Sequence, residues 1–397
     1  MARMQVVRMD PGNFTPHYVA NLCAALEEQD CQVELVTSAP YFEAVPQPGA
    51  YKVSCRFFRL ASERLGRSRL LRRQAWLRKS IKALSYPAGL WRTWRALKDR
   101  PPGVLHVQWA LLPLLDILLF SALRRRGWRI VYTAHEVFPE NWTFRRLVQA
   151  ADAVIAHTAG LDRKVVDGSG VAPERVHAIT HGNLGVFRAP DVNPSEARRV
   201  LGLSPEGPLL LFYGLIRPYK GLQYLLEAIP LVRQEFPQAH LLIAGQPMQR
   251  FSGYQKLIDG LGIAGSVTLR LQYVPLAEVH YYFCAAGLVV LPYVRCSLSG
   301  ILTMAFGYAR PVVATSVGGL PEAIEEGQTG YIVPLRSPEA LAQAICRGLR
   351  RPALLEQMGR EGRRWQQEAC CWSRVARQTR QLYEPHSQPV LKPGFPR

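Results

Sequence analysis

Carboxylates are scarce here. Across 397 residues, 30 Asp and Glu face 49 Lys and Arg, a formal net charge of +19. Such an imbalance points to an anionic partner: nucleic acid, an anionic membrane surface or an anionic substrate. Long apolar runs are also missing. No uninterrupted stretch reaches the roughly 18 residues of a membrane-spanning helix. The first eight residues lead straight into a strand pattern, with no signal-peptide apolar region. The eight cysteines include no Cys-x-x-Cys spacing, so no metal-ligand pairing is visible. Most sit in apolar contexts and read as buried small residues of a reducing cytosol, with no disulfide framework. The opening β-loop-α pattern has no Gly-x-Gly-x-x-Gly, so the dinucleotide fingerprint is absent. No RNA- or DNA-binding motif accompanies the charge, which makes nucleic acid the weakest of the three partners. No metal and no cofactor is expected.

What is present is apolar material for ordinary cores, 48% of residues, and length for two domains of roughly 150–200 residues. The most informative stretch is 296–322, CSLSGILTMAFGYARPVVATSVGGLPE. It follows an apolar run at 288–293 that reads as a buried strand. Ser297, Ser299 and Gly300 form a small-residue turn, and Ile301, Leu302, Met304, Ala305 and Tyr308 follow at helical spacing. A second short strand at 311–315 and a Gly318-Gly319 turn complete the unit. A Ser/Gly-rich first helical turn points unpaired N–H groups at a ligand above the sheet edge, and a phosphate suits them. An ordinary β-α-β unit with a tight turn gives the same pattern. A partner upstream favours phosphate: GLIRPYKG at 214–221, between a strand at 209–213 and a helix at 222–236. Arg217 and Lys220 stand at the strand's carboxyl end, where open α/β sheets bind ligands. Two fixed cations and the helix-start amides of Ser299, Gly300, Ile301 and Leu302 suit a diphosphate without metal.

FYGLIRPYKGLQYLLEA, then PYVRCSLSG and PVVATSVGGLPE, resembles the donor-binding half of glycosyltransferase family 4, retaining enzymes of the GT-B fold that use nucleotide sugars. The match runs over 209–334, with a weaker one in the N-terminal half. The resemblance implies that Gly214, Arg217 and Lys220 contact the donor diphosphate. It implies base packing, largely through backbone, by the loop holding Gln272 and Tyr273. Glu322 either caps a following helix or approaches the donor. The family's two glutamates, eight residues apart, are replaced here by Cys296 and Met304.

The N-terminal half opens as strand 4–9, a turn-rich loop at 10–17 and a helix from His17 to 29. By the resemblance this loop faces the acceptor and the transferred sugar, with Gly12, Asn13 and His17 as candidates; a solvated His17 at a helix start is the alternative. Residues 52–100 hold fifteen basic residues against Glu63 and Asp99, interleaved with Leu70, Trp76, Leu90, Trp91 and Trp94. A basic helix with Trp and Leu on its other face suits an anionic headgroup interface, while a solvated helix over the domain's own core is the bland reading. Residues 114–123 read as a core helix, too short to span a bilayer. Strand 129–134 delivers His135 and Glu136 to its carboxyl end; the family has a histidine in a comparable Thr-x-His stretch near the transferred sugar. His181-Gly182 ends the last strand of this half, and 186–195 reads as the linker.

The expected fold is α/β, GT-B, with two Rossmann-like domains facing across a cleft. The expected layout is 1–190 on the acceptor side, 191–370 for the donor, a returning helix at 371–384 and a disordered tail at 385–397. The expected activity is retaining hexosyl transfer from a UDP- or GDP-linked sugar to a hydroxyl acceptor. His135, Arg217 and Lys220 are the candidate catalytic residues. The expected acceptor is a saccharide, above all a lipid-linked one in surface polysaccharide assembly, handled by a cytoplasmic enzyme peripheral at the inner membrane face. A soluble acceptor and a non-catalytic nucleotide-sugar-binding protein are the alternatives.

Overall fold

A computed structural model describes residues 3–40, 47–58, 75–137, 140–183, 192–204 and 206–384, with backbone alone for 75–83. The arginine-rich 59–74, the linker residues 186–191 and the tail at 385–397 lie outside the described residues. The chain divides into two compact units, 1–182 with a return segment from Trp372, and 183–371.

The first unit alternates strand and helix: β1 (Met4–Asp10), α1 (Pro16–Glu27), β2 (Cys31–Thr37), β3 (Lys52–Cys55), α2 (Ala75–Leu97), β4 (Val104–Val107), α3 (Pro113–Arg124), β5 (Arg129–Thr133), α4 (Trp142–Ala150), β6 (Ala153–Ala156), α5 (Ala159–Ser169) and β7 (Val176–Ala178). The sheet is parallel, in the order β3-β2-β1-β4-β5-β6-β7. Strand order reverses between β1 and β4, and there the loops on either side part to leave room for a ligand. The period of two along β1 sends Val7 and Met9 to the core under α2, α3 and α4, and Val6 to the core under α1. Local chemistry sets the helix starts. Asn141 Oδ1 accepts from the N–H of Thr143 at 2.9 Å, and Thr158 Oγ1 from that of Leu161 at 3.2 Å.

The expectation of one basic amphipathic segment over 52–100 needs correction. Its first residues form edge strand β3, paired in register with β2. Arg56 and Arg100 are drawn off the surface by Glu34, whose carboxylate meets each guanidinium at 2.6 Å. In α2, Leu90 and Leu97 are buried and Trp94 packs against the core, while Leu84 and Trp91 remain exposed. No helix among the described residues is long and apolar enough to cross a membrane.

The second unit holds α6 (Pro194–Val200), β8 (Leu209–Tyr213), α7 (Leu222–Glu235), β9 (His240–Ala244), α8 (Ser252–Gly260), β10 (Val267–Arg270), α9 (Val279–Ala285), β11 (Leu288–Leu291), α10 (Gly300–Gly307), β12 (Val312–Thr315), β13 (Gly330–Val333), α11 (Pro338–Leu349) and α12 (Pro352–Ala369). Its parallel sheet runs β10-β9-β8-β11-β12-β13, and the reversal lies between β8 and β11. Both faces are covered, so β8 reads LLLFY with all five residues buried. Pro194 and Ser195, expected in the linker, open α6 behind an Asn193 cap. Beyond β13 the helical stretch is broken before Pro352 and again at Cys371. The last helix, α13 (Trp372–Gln381), returns to the first unit, where Val375, Ala376, Leu382 and Tyr383 join the core under α1.

Candidate functional site

The two reversal points gather the chemistry, one in each unit. In the second unit, β8 is followed by Gly214, whose φ of 94° lies in the left-handed region. A Cβ at Gly214 would stand 2.9 Å from the ammonium of Lys220 and 3.2 Å from Ile301 Cδ1. Gly214, Lys220 and the start of α10 therefore converge. Lys220 closes a single 3-10 turn, Pro218–Lys220, and is 7% exposed. Its Nζ donates to the Tyr213 carbonyl at 3.4 Å and lies 5.6 Å above the ring of Tyr293. Burial pushes this ammonium down to about 8; nearby Arg217 adds to the effect and Cys296 opposes it. Arg217 itself, just before the turn, is exposed.

The loop after β11 is fixed against that turn. Val294 N–H donates to the Tyr219 carbonyl at 2.8 Å, and Thr315 Oγ1 donates to the Tyr293 carbonyl at 2.5 Å. Ser299 precedes α10 but makes no side-chain cap; its hydroxyl lies 3.3 Å from that of Tyr293. Leu302 spends its N–H on the Ser299 carbonyl at 3.1 Å. The N–H groups of Gly300 and Ile301 stand outside the intrahelical ladder and remain the donors of the first turn. The Gly318-Gly319 turn packs beneath: a Cβ at Gly318 would fall 1.8 Å from the Cys296 carbonyl. Of the two positions where the resembled family carries glutamate, Met304 is buried in the core and Cys296 is half-buried beside Lys220.

Three other expected residues lie elsewhere or in other roles. Gln272 and Tyr273 follow β10, an edge strand two places from β8, or about 10 Å away. No helix follows Glu322, so the capping reading is overturned: residues 320–323 form a turn, and Glu322 is exposed on it.

In the first unit, Gly12, Asn13, His17, His135 and Glu136 all follow the carboxyl ends of β1 and β5. Gly12 lies under the ring of Phe14, and Asn13, at φ 51°, donates Nδ2–H to the Ser38 carbonyl at 3.5 Å. Asp10 is fully buried beneath this loop, and burial pushes its carboxyl up to about 6 despite the N–H groups of Phe14 and Thr15. His17 sits half-buried in the first turn of α1, and Glu136 is exposed. His135 is half-buried: Trp109 stacks on it at 5.1 Å, and Tyr18 meets it edge-on at 5.1 Å. Phe14 then packs edge-on against Trp109, at 5.4 Å, and is 55% exposed.

Sequence reasoning missed His157 as a neighbour of His135 and gave His181 only a general role. His157 Nε2 lies 3.2 Å from His135 Nδ1, and the His181 ring is 5.0 Å from that of His157. Burial lowers all three; His157 falls to about 3 and His181 to about 4, so the cluster is neutral near pH 7. A signal was present: TAH, VIAH and AITH each end a short apolar run. Trp109 and Tyr293, each just past the end of an apolar strand, carried the same kind of signal.

Comparison with known proteins bears on both units. The family model for Glycosyltransferase Family 4 matches residues 16–182, and that for Glycosyl transferases group 1 matches 207–351. A D-inositol 3-phosphate glycosyltransferase of Streptomyces scabiei is 33% identical over 223 residues, which is 54% of this chain and 50% of that protein. The chain thus spans about half the length of the curated relatives it matches. A sucrose-phosphate synthase from Thermosynechococcus elongatus superposes with a TM-score of 0.71 at 21% identity, over 96% of this chain and 98% of that one. Anabaena Alr3699/HepE, solved in complex with UDP-glucose, gives 0.74 at 15% identity over 95% and 98%. These neighbours share the GT-B fold of two Rossmann-like units. With one family model on each unit, and together spanning most of its length, the chain belongs to the family 4 glycosyltransferases, an enzyme family.

Proposed function

We propose that this protein is a retaining glycosyltransferase that seats the diphosphate of a nucleotide sugar between Lys220, Arg217 and the first turn of α10. The observation that carries this reading is the convergence of Gly214, Lys220 and Ile301 at the strand reversal. Among the described residues no carboxylate is within ion-pair reach of Lys220, so an anion completes its surroundings. As the sugar leaves, charge builds on the diphosphate oxygens. On this reading the Lys220 ammonium and the N–H groups of Gly300 and Ile301 meet that charge, and such preorganised donors supply several kcal/mol of barrier lowering. Front-face attack by the acceptor hydroxyl, with its proton passing to the leaving phosphate, uses no protein base. His135, Gly12 and Asn13 are the sugar-side candidates of the first unit, and Glu322, Gln272 and Tyr273 are the remaining donor-side candidates of the second. HepE was solved with UDP-glucose, which makes UDP-glucose the first donor to try here.

The acceptor we infer is a phosphorylated sugar or polyol, the class named in the D-inositol 3-phosphate glycosyltransferases and in sucrose-phosphate synthase. A second reading, a lipid-linked acceptor at an anionic membrane face, is favoured by one observation. Leu84, Trp91, Leu114, Leu118 and Trp142 are all exposed on the adjacent helices α2, α3 and α4. Arg95 and Arg146 lie over the Trp91 and Trp142 rings at 5.3 and 5.4 Å. Such a basic, tryptophan-bearing face suits a headgroup layer.

Turnover of UDP-glucose with inositol phosphates and hexose phosphates tests the first reading. Transfer to them is expected, and Lys220→Ala with Arg217→Ala is expected to abolish it while the protein stays folded. Nucleotide-sugar binding with no turnover on any acceptor would favour a non-catalytic binding protein. Flotation with neutral and anionic vesicles tests the second reading: equal recovery with both rules it out.

A further inference from the structure

A line of side chains crosses the carboxyl ends of β4, β5 and β6 in the first unit. Tyr383 Oη lies 2.7 Å from His106 Nδ1, and His106 Nε2 lies 2.7 Å from Thr133 Oγ1. The side-chain amide of Gln108 spans the next gap, with its nitrogen 3.4 Å from Thr133 Oγ1 and its oxygen 3.0 Å from His135 Nε2. His135 Nδ1 is 3.2 Å from His157 Nε2, and His157 Nδ1 ends the line 3.1 Å from the Ile179 carbonyl.

The last contact fixes the direction of every proton. A carbonyl only accepts, so His157 carries its proton on Nδ1. A neutral His157 then offers a bare Nε2, and His135 must donate to it from Nδ1. That leaves His135 Nε2 bare and in need of a donor. An amide oxygen facing it is the wrong partner. Keeping that oxygen there needs an imidazolium within reach of the charge of the fully buried Arg8, or a broken bond. Exchanging the amide's oxygen and nitrogen by a half-turn resolves this, because the two ends are nearly the same size. Gln108 then donates to His135 and accepts from the Thr133 hydroxyl; Thr133 accepts from His106 Nε2–H, and His106 Nδ1 accepts from the Tyr383 hydroxyl. Each contact along the line then pairs one donor with one acceptor, and every ring is neutral.

We propose that these residues form one proton-ordered relay, in which Gln108 and His157 are positioning residues that hold His135 as the neutral Nδ1–H tautomer. His135 then contributes a fixed, uncharged ring and exchanges no proton during transfer. Tyr383 follows α13, so docking of the return helix sets the far end of the relay. The relay's part in transfer rests on the reading that His135 lies beside the transferred sugar; the proton order does not.

Long-range proton–nitrogen NMR of the full chain, 15N-labelled at histidine, reads the tautomers directly. His135 and His157 are expected as Nδ1–H and His106 as Nε2–H, and Tyr383→Phe is expected to disturb His106 first. His135 found as Nε2–H, or as an imidazolium, overturns the proposal without any variant. Gln108→Leu is expected to mix the His135 tautomers and to lower kcat on the order of tenfold or more, with donor KM little changed. A loss of kcat with the His135 tautomer intact would overturn the positioning role. Mixed tautomers with full kcat would keep the relay and remove His135 from the sugar's side.

Discussion

The ammonium of Lys220 lies 5.6 Å above the ring of Tyr293, inside a pocket of protein that leaves it 7% exposed. A tyrosine face attracts a cation but does not neutralise it. Burial therefore leaves Lys220 losing its proton at about 8. A bound diphosphate stabilises the charged form, so binding above that pH takes up a proton. The affinity for UDP or GDP is expected to hold below pH 8 and to weaken by up to tenfold per pH unit above it. Titration calorimetry in buffers of different ionisation enthalpy checks this; an affinity flat from pH 7 to 9 contradicts it.

Gly214 offers a sharper test of the same site. Alanine there must adopt a φ of 94° and place its methyl 2.9 Å from Lys220 Nζ. Gly214→Ala is expected to lower stability by about 1–3 kcal/mol and to displace the ammonium, weakening nucleotide binding beyond the stability loss. Urea unfolding and calorimetry separate the two effects. Normal affinity in the variant would mean that Lys220 does not hold the phosphates.

The histidine cluster sets an acid limit on stability. Burial holds His157 to about 3 and His181 to about 4, against 6.5 in the unfolded chain. Between those values the unfolded chain binds protons that the folded one does not, so stability falls as pH falls, by about 2 kcal/mol per histidine near pH 5. Asp10 and Asp116, raised by burial to about 6 and about 7, run the opposite way and offset most of that loss, while His106 and His135, also held low by burial, add to it and leave a net fall. Stability from urea melts is expected to drop from pH 7 to 5, and less steeply in His157→Gln. Parallel profiles would show that burial does not hold His157 below its unfolded value.

Glu34 is 6% exposed, with Ser54 Oγ, Arg56 and Arg100 all at 2.6 Å. Burial alone would raise its carboxyl, but the Ser54 hydroxyl and the two guanidinium groups hold it low. Glu34→Gln leaves Arg56 and Arg100 without their counter-charge and is expected to cost about 2–3 kcal/mol, below the fully buried case because Arg100 reaches solvent. A thermal melt checks this, and an unchanged midpoint would show that the pairs contribute nothing.

The donor half was legible because its signals are local. LLLFY ends at Gly214, and a Ser/Gly turn precedes a helix, so strand, turn and helix each announce themselves within a few residues. Other features depended on residues far apart in the chain. Strand β3 is four residues of mixed polarity, and nothing in KVSC shows that it pairs with β2. Arg56 and Arg100 look like solvated surface charge until Glu34 is placed between them. His135, His157 and His181 meet only because successive parallel strands end side by side. No helix follows Glu322 for a local reason: Gly-Gly-Leu-Pro at 318–321 resembles a helix start but closes a turn, and residues 326–329 turn straight into β13.

Because α13 reaches the first unit only after the second has been threaded, the two ends of that unit leave the ribosome at different times. The face of α1 around Tyr18 that Trp372 and the rest of α13 later pack against stays wet throughout synthesis of the second unit. A nascent chain stalled before Trp372 would carry an apolar gap where a helix belongs, which is the kind of surface holdase chaperones retain.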